Sequence, residues 1–197
     1  MRSVMTVLLA LLLGLVPATA QTSNPAEAFV SKTIIDGFAI LGNANLSMDG
    51  QAAQLESLLL SASDMRRIAL YTLGDAKADP AQREFFVAAF RDYAVAVYRQ
   101  QFEGYRGKTL AVTGSRHNAP GDTVVRAMLN DRQAGLTVPI DFRVRTDGPS
   151  PLIIDVGFAG IWLAVTQHDD FAAYLARNKG DVGALTAWLR ERAENLR

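Results

Sequence analysis

Apolar residues recur at steps of four, three and four through residues 79–107, DPAQREFFVAAFRDYAVAVYRQQFEGYRG. Phe86, Phe90, Tyr93 and Val97 mark one side, and Phe85, Ala89, Ala94, Tyr98 and Phe102 widen it. The pattern predicts a long helix with an aromatic side broad enough to pack a core or to wall an apolar cavity. Asp79 stands at the cap position, Pro80 at the first helical position and Gln82 where the partner of a capping box belongs. Three helices are predicted upstream, over residues 25–41 (with Phe29, Ile34, Ile35 and Phe38 apolar), 51–61 and 64–73, separated by a break at 43–49. Gly104 to Gly107 end the long helix.

The periodicity then changes from helix to strand. Segments 109–115, 123–130, 136–145 and 152–156 read as strands, divided by turn residues at 118–121, 131–135 and 147–149. In the third, Leu136, Val138, Ile140, Phe142 and Val144 alternate with Thr137, Pro139, Asp141, Arg143 and Arg145. The short connections predict an antiparallel meander, and Pro139 argues for an edge or a bulge. Thr166 is the expected cap of a helix reaching Asn178, and Asp181 that of a last helix carrying Leu185, Trp188 and Leu189. The apolar run 158–165 has no assignable period. The fold class is therefore α+β, a twisted antiparallel sheet of about four strands wrapped by N- and C-terminal helices around an apolar cavity.

Residues 1–20 read as a secretory signal. Arg2 precedes a 13-residue apolar run, and Ala18-Thr19-Ala20 offers a small-x-small cleavage site. That run is short of the roughly 20 residues a membrane span needs. Cleavage after Ala20 leaves residues 21–197 as a single exported domain, and a bacterial periplasm suits it. The chain has no cysteine, which excludes disulfides, a thiol nucleophile and thiolate metal sites. With Arg2 removed, 19 basic residues face 20 acidic ones, and no basic run is interleaved with aromatics, so nucleic acid is not an expected partner.

Candidate chemistry is sparse. His117, in a predicted loop, and His168, near a helix start, read as surface polar residues. Ser115 lies near His117 without the surroundings of a serine nucleophile. His168, Asp169 and Asp170 are adjacent on a helix and point apart, which disfavours a metal. The enzymatic alternative is a small pocket enzyme of ketosteroid-isomerase-like type, with Asp141 or Asp155 as its acid. Both alternate out of phase with their apolar neighbours and should face away from an apolar pocket. No catalytic residue, metal or cofactor is expected.

The segment AQREFFVAAFRDYAVAVYRQQFEGYRG resembles the P-x-Q-R-x-x-F-x-x-x-F signature of the periplasmic lipid carriers called MlaC, the toluene-tolerance auxiliary family. The tail IIDVGFAGIWLAVTQHDDFAAYLARNKGDVGALTAWLRER resembles the family's closing D-V-x-x-x-G segment and terminal helices, with Asp155, Gly160, Phe171 and Gly180 in place. ALYTLG, residues 69–74, resembles the stretch before the long helix. The resemblance spans roughly residues 25–195. It implies a monomeric α+β carrier that takes the acyl tails of a glycerophospholipid and leaves the headgroup outside. It also implies exchange with an inner-membrane ABC transporter bearing an MCE-domain protein and with an outer-membrane lipoprotein–porin complex, in a pathway maintaining outer-membrane lipid asymmetry. Trp162, His168 and Ala76-Lys77 depart from the family pattern and leave room for another lipid, such as a hopanoid.

Such a carrier needs an apolar hollow between the sheet and the helices. The expected lipid-binding residues are Ile35, Phe38, Ile68, Tyr71, Phe86, Phe90, Tyr93, Val97, Val138, Ile140, Phe142, Val156, Phe158, Ile161 and Leu163, each of which plain core packing would also explain. Tyr98, Arg99 and Arg106 read as solvated residues, with a phosphate contact as the alternative.

Overall fold

The computed structural model describes residues 24–196, and the expected signal at residues 1–20 lies outside them. The described elements run α1 (Pro25–Leu41), α2 (Met48–Ala62), α3 (Met65–Leu73), α4 (Pro80–Gln101), a 3-10 turn (Phe102–Tyr105), β1 (Thr109–Ala119), β2 (Asp122–Asp131), β3 (Leu136–Arg145), β4 (Leu152–Phe158), β5 (Ile161–Trp162), α5 (Leu163–Arg177) and α6 (Val182–Asn195). The strands form one antiparallel sheet in the order β1-β2-β3-β4-β5.

Side chains at the helix starts set their positions. The capping box of α4 is closed: Gln82 N donates to Asp79 Oδ1 at 2.8 Å, and Asp79 N donates to Gln82 Oε1 at 3.0 Å. Asp64 accepts from Arg67 N, and Asp181 from Ala184 N. Ser47 accepts from Gly50 N, so α2 starts three residues before the predicted position 51. The long helix gives way to the 3-10 turn at Phe102, before the glycines expected to end it.

The apolar run 158–165 divides into three parts. Ala159 and Gly160, with φ of 49° and 88°, make a two-residue turn in which both central residues have positive φ. That turn pairs Phe158 with Ile161 and adds a fifth strand to the expected four. Helix α5 follows at Leu163, earlier than expected. Thr166 lies inside its first turns and donates to Trp162 O at 3.0 Å instead of capping it. His117 belongs to β1, not to a loop, and its Nδ1 is 3.3 Å from Thr123 Oγ1. Pro139 lies in a strand with neighbours on both sides, yet the β3–β4 ladder begins only at Ile140. The edge expected from Pro139 is not what forms: it stands one residue past the β3–β4 ladder of an interior strand, and its carbonyl accepts from Ala159 N at 3.1 Å.

Two separate hydrophobic cores result. The helical core joins α3, α4, α5 and α6 through Leu73, Phe86, Phe90, Phe171, Leu185 and Leu189, with Phe171 set edge-on to both Phe86 and Phe90 at 6.0 and 6.3 Å. The second joins α1 to the sheet through Ala26, Val30, Val125, Val144 and Ile153, with Ala62 from the end of α2. Phe85, expected to widen the buried side of α4, is 60% exposed.

Candidate functional site: an apolar cavity between two cores

The two cores do not merge. Between them lies a cavity of about 590 Å³ walled by α1, α2, α3, α4, the start of α5 and one face of the sheet. Phe90, Ala94, Met65 and Ile68 come from the helical side, and Ile34, Ala62, Phe142, Ile153 and Val156 from the sheet side. Ile161, 63% exposed, and exposed Gln101 both line it, so the hollow reaches the surface.

Some polar residues in the wall bond within the protein. Thr33 Oγ1 donates to Phe29 O at 2.9 Å, and the Ser63 hydroxyl to Leu59 O. Tyr98 sits on the wall instead of in solvent, and burial pushes its phenol up to about 12. Burial also raises Tyr105. Both rings therefore stay neutral and present hydrocarbon with one polar tip.

Asp155 borders the cavity, against the expectation from strict alternation. The β3–β4 register shifts between Arg143 and Val144, which pair with Asp155 and Ile153 and leave Ile154 as the extra residue. Trp162, at the N-cap of α5, supplies no capping oxygen. Asp155 supplies one from β4: its Oδ1 accepts from Ala164 N at 2.9 Å and from Val156 N at 2.8 Å. Burial raises its pKa, and the two amides oppose that rise. Asp141 turns away from the cavity, where Arg126 grips it with two bonds of 2.8 Å and holds its carboxyl below the usual range. His168 Nδ1 is 3.1 Å from Tyr71 O, tying α5 to α3. Among the described residues no group of three His, Cys, Asp or Glu side chains is placed to hold a metal.

Ten of the fifteen expected residues line the cavity: Phe38, Ile68, Phe90, Val97, Ile140, Phe142, Val156, Phe158, Ile161 and Leu163. Five do not. Ile35 points to solvent at 66% exposure, and Tyr71, 49% exposed, lies against His168 with ring centroids 5.6 Å apart. Phe86 is fully enclosed in the helical core, and Tyr93 packs on Trp188 at 6.4 Å. Val138 pairs with Leu129 beyond the cavity end of β3. Sequence reasoning passed over the wall formed by α2, although Leu55, Leu58 and Leu59 fall at the i, i+3, i+4 spacing of an amphipathic helix. Trp162 is not part of the wall. Its ring covers Gly157, where a Cβ would stand 3.2 Å from Trp162 Cε3.

A family profile described as MlaC protein matches residues 32–191. The chain belongs to the MlaC family. The matched stretch takes in every cavity-lining residue named above. No curated protein matches the sequence. Among solved structures, a phospholipid-binding protein from Ralstonia solanacearum in complex with a phospholipid, determined at 1.53 Å, is similar. It is 26% identical, the alignment covers 88% of this MlaC chain and 99% of that one, and the TM-score is 0.76.

Proposed function

We propose that this MlaC-family chain is a phospholipid carrier whose cavity takes acyl tails out of contact with water. The cavity is the observation that carries the reading: an open apolar hollow at the seam of two well-packed cores, in a fold shared with a protein that binds phospholipid. At roughly 30 Å³ per small group, the liquid share of one water, 590 Å³ admits on the order of 20 methylene-sized groups. At about 0.8 kcal/mol per buried methylene, that is on the order of 15 kcal/mol of apolar transfer, enough to compete with a bilayer for a tail.

The rest of the proposal follows from that role. A signal at residues 1–20 exports one domain, residues 21–197, to the periplasm. There, as a monomer, it exchanges lipid with an inner-membrane transporter bearing an MCE-domain protein and with an outer-membrane lipoprotein–porin complex, so maintaining lipid asymmetry. No catalytic step is involved. Asp141 is engaged by Arg126, and Asp155 holds the start of α5. The test is native mass spectrometry of protein purified from cells. A glycerophospholipid adduct is expected. Protein that is reproducibly empty and takes nothing from liposomes would end the proposal, and a polycyclic adduct such as a hopanoid would reassign the ligand.

A further inference from the structure

The wall of the cavity carries a single carboxylate. Among the described residues that line it, Asp155 is the only acid, and no lysine, arginine or histidine stands beside it. Helices α1, α2 and α3 bring no titratable side chain to the hollow, α5 brings Gln167, and the remaining titratable groups are the phenols of Tyr98 and Tyr105. A hollow suited to hydrocarbon therefore has one charge on its surface.

Asp155 is 7% exposed, and its two oxygens are used unequally. Oδ1 accepts from Val156 N and Ala164 N, whereas among the described residues Oδ2 accepts nothing. Arg145 Nε is the one fully enclosed side-chain polar atom without a partner among those residues. Asp155 Oδ2 thus keeps open space beside it, and that space is the cavity. Arg143, its register partner on β3, is turned to Asp122 by bonds of 2.7 and 3.1 Å. His168 faces Tyr71 O and Gly74 and is not part of the wall. Tyr98 is near enough for the Asp155 charge to raise its phenol further, yet no hydrogen bond joins the two among the described contacts. In a water-filled cavity Oδ2 is hydrated. Hydrocarbon removes that water and supplies no donor in its place, which penalises the ionised form.

We propose that lipid loading is proton-linked: when acyl chains fill the cavity, the Asp155 carboxylate takes one proton from solvent and becomes a neutral acid, and when they leave it returns that proton. This rests on the tail-carrier reading and adds a pH dependence to it. The hold on α5 survives, because a neutral acid still accepts through Oδ1. Burial already lifts the carboxyl of the empty protein above its ordinary 3.8, and hydrocarbon lifts it further. A group with the higher pKa in the filled state favours filling at low pH. The advantage is complete below the empty value and declines by up to about tenfold in affinity per unit as pH rises towards the filled value.

The test titrates delipidated protein with phosphatidylcholine vesicles, whose charge stays constant from about pH 5 to 8, while an indicator dye in weak buffer counts protons. Wild type should take up protons on loading, approaching one per lipid, and its affinity should fall about tenfold or more across that range. Asp155→Asn keeps an oxygen for both amides and has nothing to titrate, so it should load evenly with pH and take up no proton. Level loading by wild type without proton uptake overturns the linkage and leaves the carrier standing, whereas no lipid bound at any pH removes both. A slope that persists in Asp155→Asn belongs to another group, such as His168, and also overturns it. Should Asp155→Asn fail to fold, the proton count decides: His168→Gln should retain the uptake of wild type, and its loss there would assign the proton to His168 instead.

Discussion

Placing a carboxylate on the cavity wall gives the sharpest test of tail contact. Val97 is half-buried on α4, lines the cavity and belongs to neither core, so Val97→Asp leaves the packed parts of the fold intact. In the lipid-free protein the new side chain meets water. With tails in place the charge must be dehydrated, which costs several kcal/mol, or the acid must be protonated. Protonation sets the ceiling: for an aspartate of ordinary pKa near 3.9 it costs about 4 kcal/mol at pH 7 and about 1.5 kcal/mol at pH 5. Lipid uptake from vesicles should therefore fall by about a thousandfold at pH 7 and only about tenfold at pH 5, while the melting temperature of the lipid-free protein changes little. Val97→Asn, with no charge to neutralise, should show a smaller loss that does not vary with pH. Wild-type uptake by Val97→Asp at pH 7 would mean that tails never touch this wall. An equal loss at both pH values would show that dehydration of the charge is not the cause.

Two further outcomes follow from the packing. Asp155 has a folded pKa raised above its ordinary 3.8, so the folded protein binds more protons there, and its contribution to stability declines as pH rises from about 3.8 through the raised value. Asp141 and Asp122, lowered by hydrogen bonds from Arg126 and Arg143, act in the opposite sense: their contribution is present above about 3.8 and is lost as pH falls through their folded values. In denaturant titrations from pH 3 to 7, Asp155→Asn should remove the decline on the rising side while sparing the acid limb, and an unchanged profile would reject this role. Phe86→Ala should cost about 3–5 kcal/mol in chemical denaturation, because a fully enclosed ring set against Phe171 and Phe90 is deleted. Folded Phe86→Ala should still take up lipid, and a selective loss of uptake would place the ring in the cavity after all.

Local signals were legible in the chain wherever structure is set locally. The capping box at Asp79 and Gln82 appears as read, and residues 136–145 form one strand, though its burial does not alternate strictly: Leu136 is exposed and Asp141 is buried. What escaped depends on partners distant in sequence. The side of Asp155 is decided by a bulge in its pairing with β3 and by an uncapped helix nine residues on. The aromatic side of α4 was visible, but not its division, since Phe86 and Tyr93 meet α5 and α6 whereas Val97 and Tyr98 meet the hollow. Periodicity says which side of a helix is apolar. It does not say whether side chains or empty space lie opposite.

The outermost strand has a bearing on how such a protein survives at high concentration. β1 is eleven residues long and borders the sheet, and an unbroken row of free amides and carbonyls there would recruit a second molecule. Its pairing slips twice, between Val112 and Gly114 and between His117 and Ala119. Each slip throws the outward-facing groups out of step, so an incoming strand finds only short stretches to zip against. That irregularity limits how far copies with oily openings can pair edge to edge.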